Sequence, residues 1–288
     1  MEWTPGGVSG DIEDRRDDDS GGGGFGFGGG GFGGIHLGIG GTIVLLIVGF
    51  VFRHSFLGSD ASTSPSPVRS SASQDRQVQF VSFVLDDVQH TWEQLLPDQA
   101  NVGYRHAKLV LFRDYTDSGC GEAQSATGPF YCPVDEKVYI DLSFFDELRT
   151  RFGAPGEFAE AYVIAHEIGH HIQKLLGIEA RVQRLRQRDP EESNPLSVSL
   201  ELQADCFAGI WGHSTEQRNI IDRADIAAGL RAAAAVGDDR LQRMATGHIS
   251  PESFTHGSSA QRTHWFKQGL DKGQISSCVV SRVVAPQR

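Results

Sequence analysis

Apolar positions along the 288-residue chain repeat with different periods in different stretches. Between residues 76 and 96, Phe80, Val84, Val88, Trp92 and Leu95 recur at steps of three and four, which places them on one face of a helix. Pro97 predicts where that helix stops. Residues 108–112 and 138–140 are short apolar runs that read as strands, and the Gly- and Cys-containing stretch 118–133 between them reads as a loop. Beyond residue 155 the period is helical, over 155–176, 195–211, 222–236 and 258–270. Together these elements predict an α+β domain from about residue 76 to residue 288, with a small sheet first and a helical bulk after it. The strand at 138–140 is expected to offer an edge to an extended peptide.

The pattern before residue 76 is of another kind. Residues 35–52 are eighteen positions without a charged side chain, about 27 Å long as a helix against a hydrocarbon core of about 30 Å. They predict one transmembrane helix; the bland alternative is a glycine-rich buried helix. The region before it is long and acidic, so the span reads as an uncleaved anchor rather than a signal peptide. Residues 21–34 contain only Gly and Phe25, Phe27 and Phe32, too little apolar surface to offset the entropy of ordering. Together with the acidic run from Asp11 to Asp19, they predict a disordered arm over 1–34. Residues 53–75 are rich in Ser and Pro and read as a linker. Composition supports this division, because 18 of the 35 glycines lie in residues 1–52.

Charge and cysteine narrow the class further. The net charge is −11, which excludes a basic nucleic-acid binder as the default reading. All four cysteines, Cys120, Cys132, Cys206 and Cys278, follow the apolar span. An even number on one side fits two disulfides in an oxidising compartment, Cys120 with Cys132 and Cys206 with Cys278. The alternative is four reduced thiols in a cytosolic domain. Arg15 and Arg16 before the span and Arg53 after it pull orientation in opposite directions.

The chemistry sits in the helix predicted at 155–176. His166-Glu167-Ile168-Gly169-His170 is an H-E-x-x-H sequence, and residues four apart on a helix leave the same face, so both imidazoles reach one zinc ion. Glu167 then lies beside the metal without ligating it, placed to take a proton from water. A catalytic zinc site needs a third protein ligand. The pattern H-E-x-x-H-x-x-G-x-x-H is excluded, because Gln173 and Leu176 occupy its glycine and histidine positions. Glu201 in Glu201-Leu202-Gln203-Ala204-Asp205 is the best-placed carboxylate, and Asp205, one turn on, can hold the outer nitrogen of a ligand histidine. A solvated acidic face is the alternative for this pair, with Glu179, Glu191 or Glu192 as replacement ligands. An oxyanion stabiliser is sought among His248, His256 and His264; His256 lies in a loop before a helix, with Arg262 six residues on to brace it.

His166–His170, the E-x-x-A-D run at 201–205, Thr255-His256-Gly257, Gln261-Arg262 and Trp265-Phe266 together resemble the neutral zinc metallopeptidases of bacteria, single-span membrane proteins of the glutamate-ligand branch. The likeness extends to residues 12–16, to the loop with Cys120 and Cys132, and to Tyr139-Ile140-Asp141-Leu142. It implies a zincin-like fold, one Zn²⁺ per chain and a peptide or protein substrate. By the same likeness His256 and Arg262 join Glu167 as catalytic residues and the protein sits in an inner or plasma membrane; the even set of cysteines beyond the span places its catalytic domain outside the cytoplasm. Gly257 stands where related membrane gluzincins have proline. Two other functions share these residues: hydrolysis of a non-peptide amide, and a non-catalytic envelope protein whose structural zinc is closed by a further ligand such as His171 or His213.

Overall fold

The apolar stripe at 76–96 becomes one face of α1 (Ala72–Ala100) in a computed structural model that describes residues 1–18, 72–124 and 127–281. Phe80, Val84, Val88 and Trp92 of this helix are buried in the main core. The helix runs one turn past Pro97. A proline near the end removes only one backbone donor, and Asn101, at φ 54°, closes the turn through its N–H to the Pro97 carbonyl at 3.0 Å.

Both predicted strands are present, as β2 (Lys108–Phe112) and β6 (Lys137–Asp141). They pair in parallel, Leu109 opposite Val138 and Leu111 opposite Ile140. These four side chains enter the helical core, while Val110, Phe112 and Tyr139 on the other face form a smaller cluster with Ala123 and Cys132. Burial on both faces explains why these strands read as continuous apolar runs rather than alternating ones. Between β2 and β6 lie three short strands: β3 (Tyr115–Ser118) leads into the stretch expected as a loop, and β4 (Gly121–Gln124) and β5 (Phe130–Cys132) fall inside it. β3 and β4 form a hairpin, and β5 lies antiparallel to β6. β6 is therefore flanked on both sides and presents no edge; the outer strand on that side is β5.

The far edge corrects the boundary expected at the N-terminus. Residues 12–14 form β1 (Ile12–Asp14), parallel to β2, so the sheet order is β1-β2-β6-β5. Met1, Trp3 and Ile12 pack against the main core. Trp3 donates its indole N–H to Glu157 at 3.0 Å, and the Lys137 ammonium binds Glu13 at 2.7 Å. Residues 1–18 are thus part of the domain and not of a disordered arm: apolar side chains and strand hydrogen bonds offset the ordering entropy that the acidic composition alone does not. The expected arm at 19–34, the apolar span at 35–52 and the linker up to residue 71 lie outside the described residues. Among the described residues no helix is long and apolar enough to cross a membrane.

The helical bulk follows as α2 (Ser143–Thr150), α3 (Glu157–Leu175), α4 (Ile178–Arg188), α5 (Ser193–Gln217), α6 (Arg223–Ala235), α7 (Asp238–Thr246) and α8 (Ser259–Lys272). α3 is buried on nearly every side, between α1, α5 and α6, which makes it the central element of the domain. Capping boxes at Asp222 and Ser258 start α6 and α8. Both expected disulfides are present, Cys120–Cys132 joining the β3–β4 hairpin to β5 and Cys206–Cys278 joining α5 to the C-terminal turn.

Candidate metal centre

α3 and α5 run close together because both are small where they meet. A Cβ on Gly169 would lie 2.9 Å from the Ala204 carbonyl oxygen and 3.0 Å from its Cα, so only glycine fits at that place in H-E-x-x-H. This approach brings the second carboxylate helix to the first. His166, His170 and Glu201 offer ligand atoms that all lie within 4.8 Å of one another. The Glu201 carboxylate stands 3.2 Å from His166 Nε2 and 3.5 Å from His170 Nε2. Two imidazole nitrogens and a carboxylate oxygen are the donor set of a catalytic zinc centre, and the residues present fit that ion. None of Glu179, Glu191 and Glu192 belongs to this cluster.

The outer nitrogens of both histidines are held. Asp205, fully buried, can only accept, so His166 donates Nδ1–H to it at 2.9 Å and keeps Nε2 for the cluster. Gln173 donates its amide to the Leu200 carbonyl at 2.7 Å, which turns its oxygen toward His170 Nδ1 at 3.0 Å. His170 is thereby fixed in the same tautomer. Such outer partners orient metal-binding imidazoles and raise their basicity.

Arg262 makes its closest hydrogen bonds to Asp205, and its Nη2 also lies 3.9 Å from the Glu201 carboxylate. Its Nε and Nη2 bind the two Asp205 oxygens at 2.8 and 2.9 Å, and Tyr162 donates its hydroxyl to the same carboxylate. The partner of His256 is Asp238, the first residue of α7. One Asp238 oxygen accepts the backbone N–H groups of Thr255 and His256 at 2.7 Å and of Gly257 at 3.1 Å. Its other oxygen faces His256 Nδ1 at 3.1 Å. Gly257 adopts φ 90°, which proline cannot reach; the departure from the T-H-P pattern is a requirement of this turn. His248 and His264 are not members of the metal cluster.

Charges bind the centre together. Burial works against ionisation of Glu201, yet His170, His166 and His256 outweigh it and hold the carboxyl well below its usual range. Burial likewise disfavours a charge on His256, but Asp238 and Glu201 raise it overall. His256 thus belongs to the same electrostatic cluster as the ligands. Glu167 shows the opposite balance: burial pushes its carboxyl up, and the two histidines recover only part of that. A buried carboxyl next to the three donors and outside their set is placed to exchange protons with water held there.

His171 and His213, the spare histidines that would close a structural site, are engaged elsewhere. His171 meets the Arg105 carbonyl and the Tyr131 hydroxyl, and His213 meets the Leu270 carbonyl and Gln217. Among the described residues no fourth ligand joins the three. Gln173 stands one turn from His170 on the same helix, a spacing from which its contact could be read, whereas Asp238 is eighteen residues from His256 and carries no spacing signal.

The chain is 45% identical over 287 residues to the uncharacterized protein YpfJ of Escherichia coli strain K12, covering 96% of this chain and 98% of that one. It is 42% identical over 225 residues to the uncharacterized protein Rv2575 of Mycobacterium tuberculosis strain H37Rv, covering 74% of each. No solved structure matches it. Residues 1–280 match the family described as "Putative neutral zinc metallopeptidase", and the chain belongs to that family.

Proposed function

We propose that this chain is a zinc-dependent peptidase in which His166, His170 and Glu201 hold the ion. The observation that carries the reading is the meeting of these three donors, with Glu167 buried next to them and outside the ligand set. Zinc, when bound, supplies Lewis acidity that polarises a carbonyl and makes water nucleophilic at neutral pH. Glu167 accepts the proton of the attacking water and passes it to the leaving amine. His256 gives Nδ1–H to Asp238, and in its doubly protonated form, which Asp238 and Glu201 favour, it presents Nε2–H as a donor to the developing oxyanion. Asp205 and Gln173 fix the ligand tautomers, and Arg262 neutralises Asp205; Arg262 is a positioning residue. The two disulfides support an oxidising location outside the cytoplasm, and the apolar run at 35–52 supports membrane attachment.

The full chain is the object to test, since residues 1–18 belong to the fold. Wild type is expected to carry one zinc per chain, measured by elemental analysis, and to cleave peptides from a mixed library. Glu167→Gln is expected to keep the zinc and lose at least about 100-fold in kcat. Wild type without stoichiometric zinc, or Glu167→Gln cleaving at the wild-type rate, defeats the proposal. Cleavage of non-peptide amides with no cleavage of peptides selects the non-peptide hydrolase instead.

A further inference from the structure

α4 follows α3 after a turn at Gly177 and brings a second set of charges to the metal centre. Its apolar residues Ile178, Val182 and Leu185 pack with Leu196 and Leu200 of α5. Leu200 immediately precedes the ligand Glu201, and its carbonyl accepts the Gln173 amide that holds His170. Beside this apolar stripe stand Glu179 and Arg186, seven residues apart, which puts them about 20° from one another around the helix and about 10 Å apart along it. Both feel the centre. Burial raises the Glu179 carboxyl, against Lys174, His170 and Arg186; burial lowers Arg186, against Glu201 and Glu179. The centre also opens on this side, since the His170 side chain is 20% exposed and that of His166 only 8%.

Arg186 is itself only 8% exposed. Its Nε has no hydrogen-bond partner, and among the described residues its guanidinium forms no ion pair. Taking a cation out of water without a partner is costly, so buried charges in folded proteins are paired. Arg262, equally buried, meets that requirement through both oxygens of Asp205. Arg186 has no such acceptor. Glu201 is committed to the ion as a ligand, and Glu179 acts on Arg186 only through space.

We infer that Arg186 is the specificity-determining residue of this centre, and that its guanidinium takes a carboxylate of the peptide substrate. A guanidinium fork matches a carboxylate through two parallel hydrogen bonds, and the wall formed by α4 sets that carboxylate beside the open side of the three ligands. The same group comes from a peptide C-terminus or from an Asp or Glu side chain. The inference rests on the reading of the centre as a peptidase.

The test uses the zinc-loaded full chain carrying Glu167→Gln, so that peptides are bound without being cleaved, and reads Kd from the anisotropy of dansyl peptides. One pair differs only in a free or amidated C-terminus; a second pair, both amidated, differs only in an internal Glu or Gln. In one pair the anionic member is expected to bind about tenfold or more tightly than its neutral partner, and that pair names the source of the carboxylate. Adding Arg186→Gln is expected to bring the ratio within about twofold, and Arg186→Lys, which keeps the charge and loses the fork, to leave an intermediate ratio. A general loosening of the fold moves both members of a pair together and leaves their ratio as it was. No preference in either pair, or a preference that survives Arg186→Gln, overturns the inference. Arg186→Met keeps the apolar stem and removes the unpaired charge, so its urea midpoint is expected not to fall; a fall shows that the charge already has its partner within the fold and overturns the inference as well. Cleavage of neutral peptides by wild type without a carboxylate preference keeps the peptidase and removes the role of Arg186, whereas a carboxylate preference without any cleavage keeps the carboxylate site and removes the peptidase.

Discussion

His166 shows how one side chain is made into a ligand by residues that never touch the substrate. Its Nδ1–H is taken by Asp205, and Asp205 is in turn bound at both oxygens by Arg262 and at one by Tyr162. All four are buried, so each charge depends on the others. Asp205→Asn keeps the shape but removes the acceptor charge, and zinc affinity is expected to fall about 10- to 100-fold, read by competition with a chelator. Arg262→Met leaves a buried carboxylate without its cation and is expected to cost about 3–5 kcal/mol of stability, read from the urea midpoint. An unchanged midpoint would show that Arg262 is not the counter-charge of Asp205. At His256 the corresponding partner is Asp238. Asp238→Asn turns an amide toward Nδ1, and kcat is expected to drop about 10- to 100-fold with zinc content unchanged. Loss of zinc in that variant would mean that Asp238 supports the metal instead of the histidine.

At the scale of elements, the centre exists because α3 and α5 touch at Gly169 and Ala204. Gly169→Ala leaves every ligand in the sequence and still has to push the helices apart, at a cost of about 1–3 kcal/mol. Its expected signature is zinc loss from a folded protein, seen as unchanged circular dichroism with reduced metal content; full metal occupancy would refute the close-approach argument. The Cys206–Cys278 bond closes a loop of 72 residues that holds α5 and α8. By the chain-entropy relation its removal costs roughly 4 kcal/mol, so Cys206→Ala with Cys278→Ala should lower the urea midpoint accordingly. Elements with a pronounced apolar period, α1, α3, α5, α6 and α8, were legible in the sequence, as were β2 and β6. α4 was not, because only Ile178, Val182 and the half-buried Leu185 mark its inner face among charged neighbours. β3, β4 and β5 were hidden by their shortness within a stretch whose glycines and cysteines read as loop.

At the scale of the whole molecule, β1 is fastened to the domain by a cluster of charges on which pH acts. His106 Nδ1 meets Asp11 of the N-terminal segment at 2.5 Å, and Nε2 meets Glu93 of α1 at 2.7 Å. Lys108 also binds Asp11. Burial works against a charge on His106, but Asp11 and Glu93 outweigh it and raise its pKa above 6.5. The imidazolium contribution is therefore full below the unfolded value of about 6.5 and is lost as pH rises through the higher folded value. Asp11 and Glu93 are lowered overall against the pull of burial on Asp11 and chiefly by the His106 hydrogen bond on Glu93. Their share is present above their unfolded values near 4 and fades as pH falls through the folded ones. Hydrogen-exchange protection of residues 1–18 is expected to be greater at pH 6 than at pH 9, relative to the domain core. His106→Gln should flatten that difference; an equal difference in the variant would exclude the cluster as its cause.

The sequence by itself determined what depends on local spacing: one helix face carrying His166 and His170, Glu167 between them, a second helix with Glu201 and Asp205, and the helical and strand periods that surround them. Those follow from 3.6 residues per turn and two per strand repeat, which hold whatever the rest of the chain does. The tertiary structure decided what depends on residues far apart in sequence. It placed Arg262 on Asp205, gave His256 its partner in Asp238, oriented the Gln173 amide through the Leu200 carbonyl, put β6 inside the sheet, and seated residues 1–18 in the fold across some ninety intervening positions between β1 and β2. No periodicity encodes such pairings, because their free energy comes from contacts that exist only once the helices and the sheet have packed.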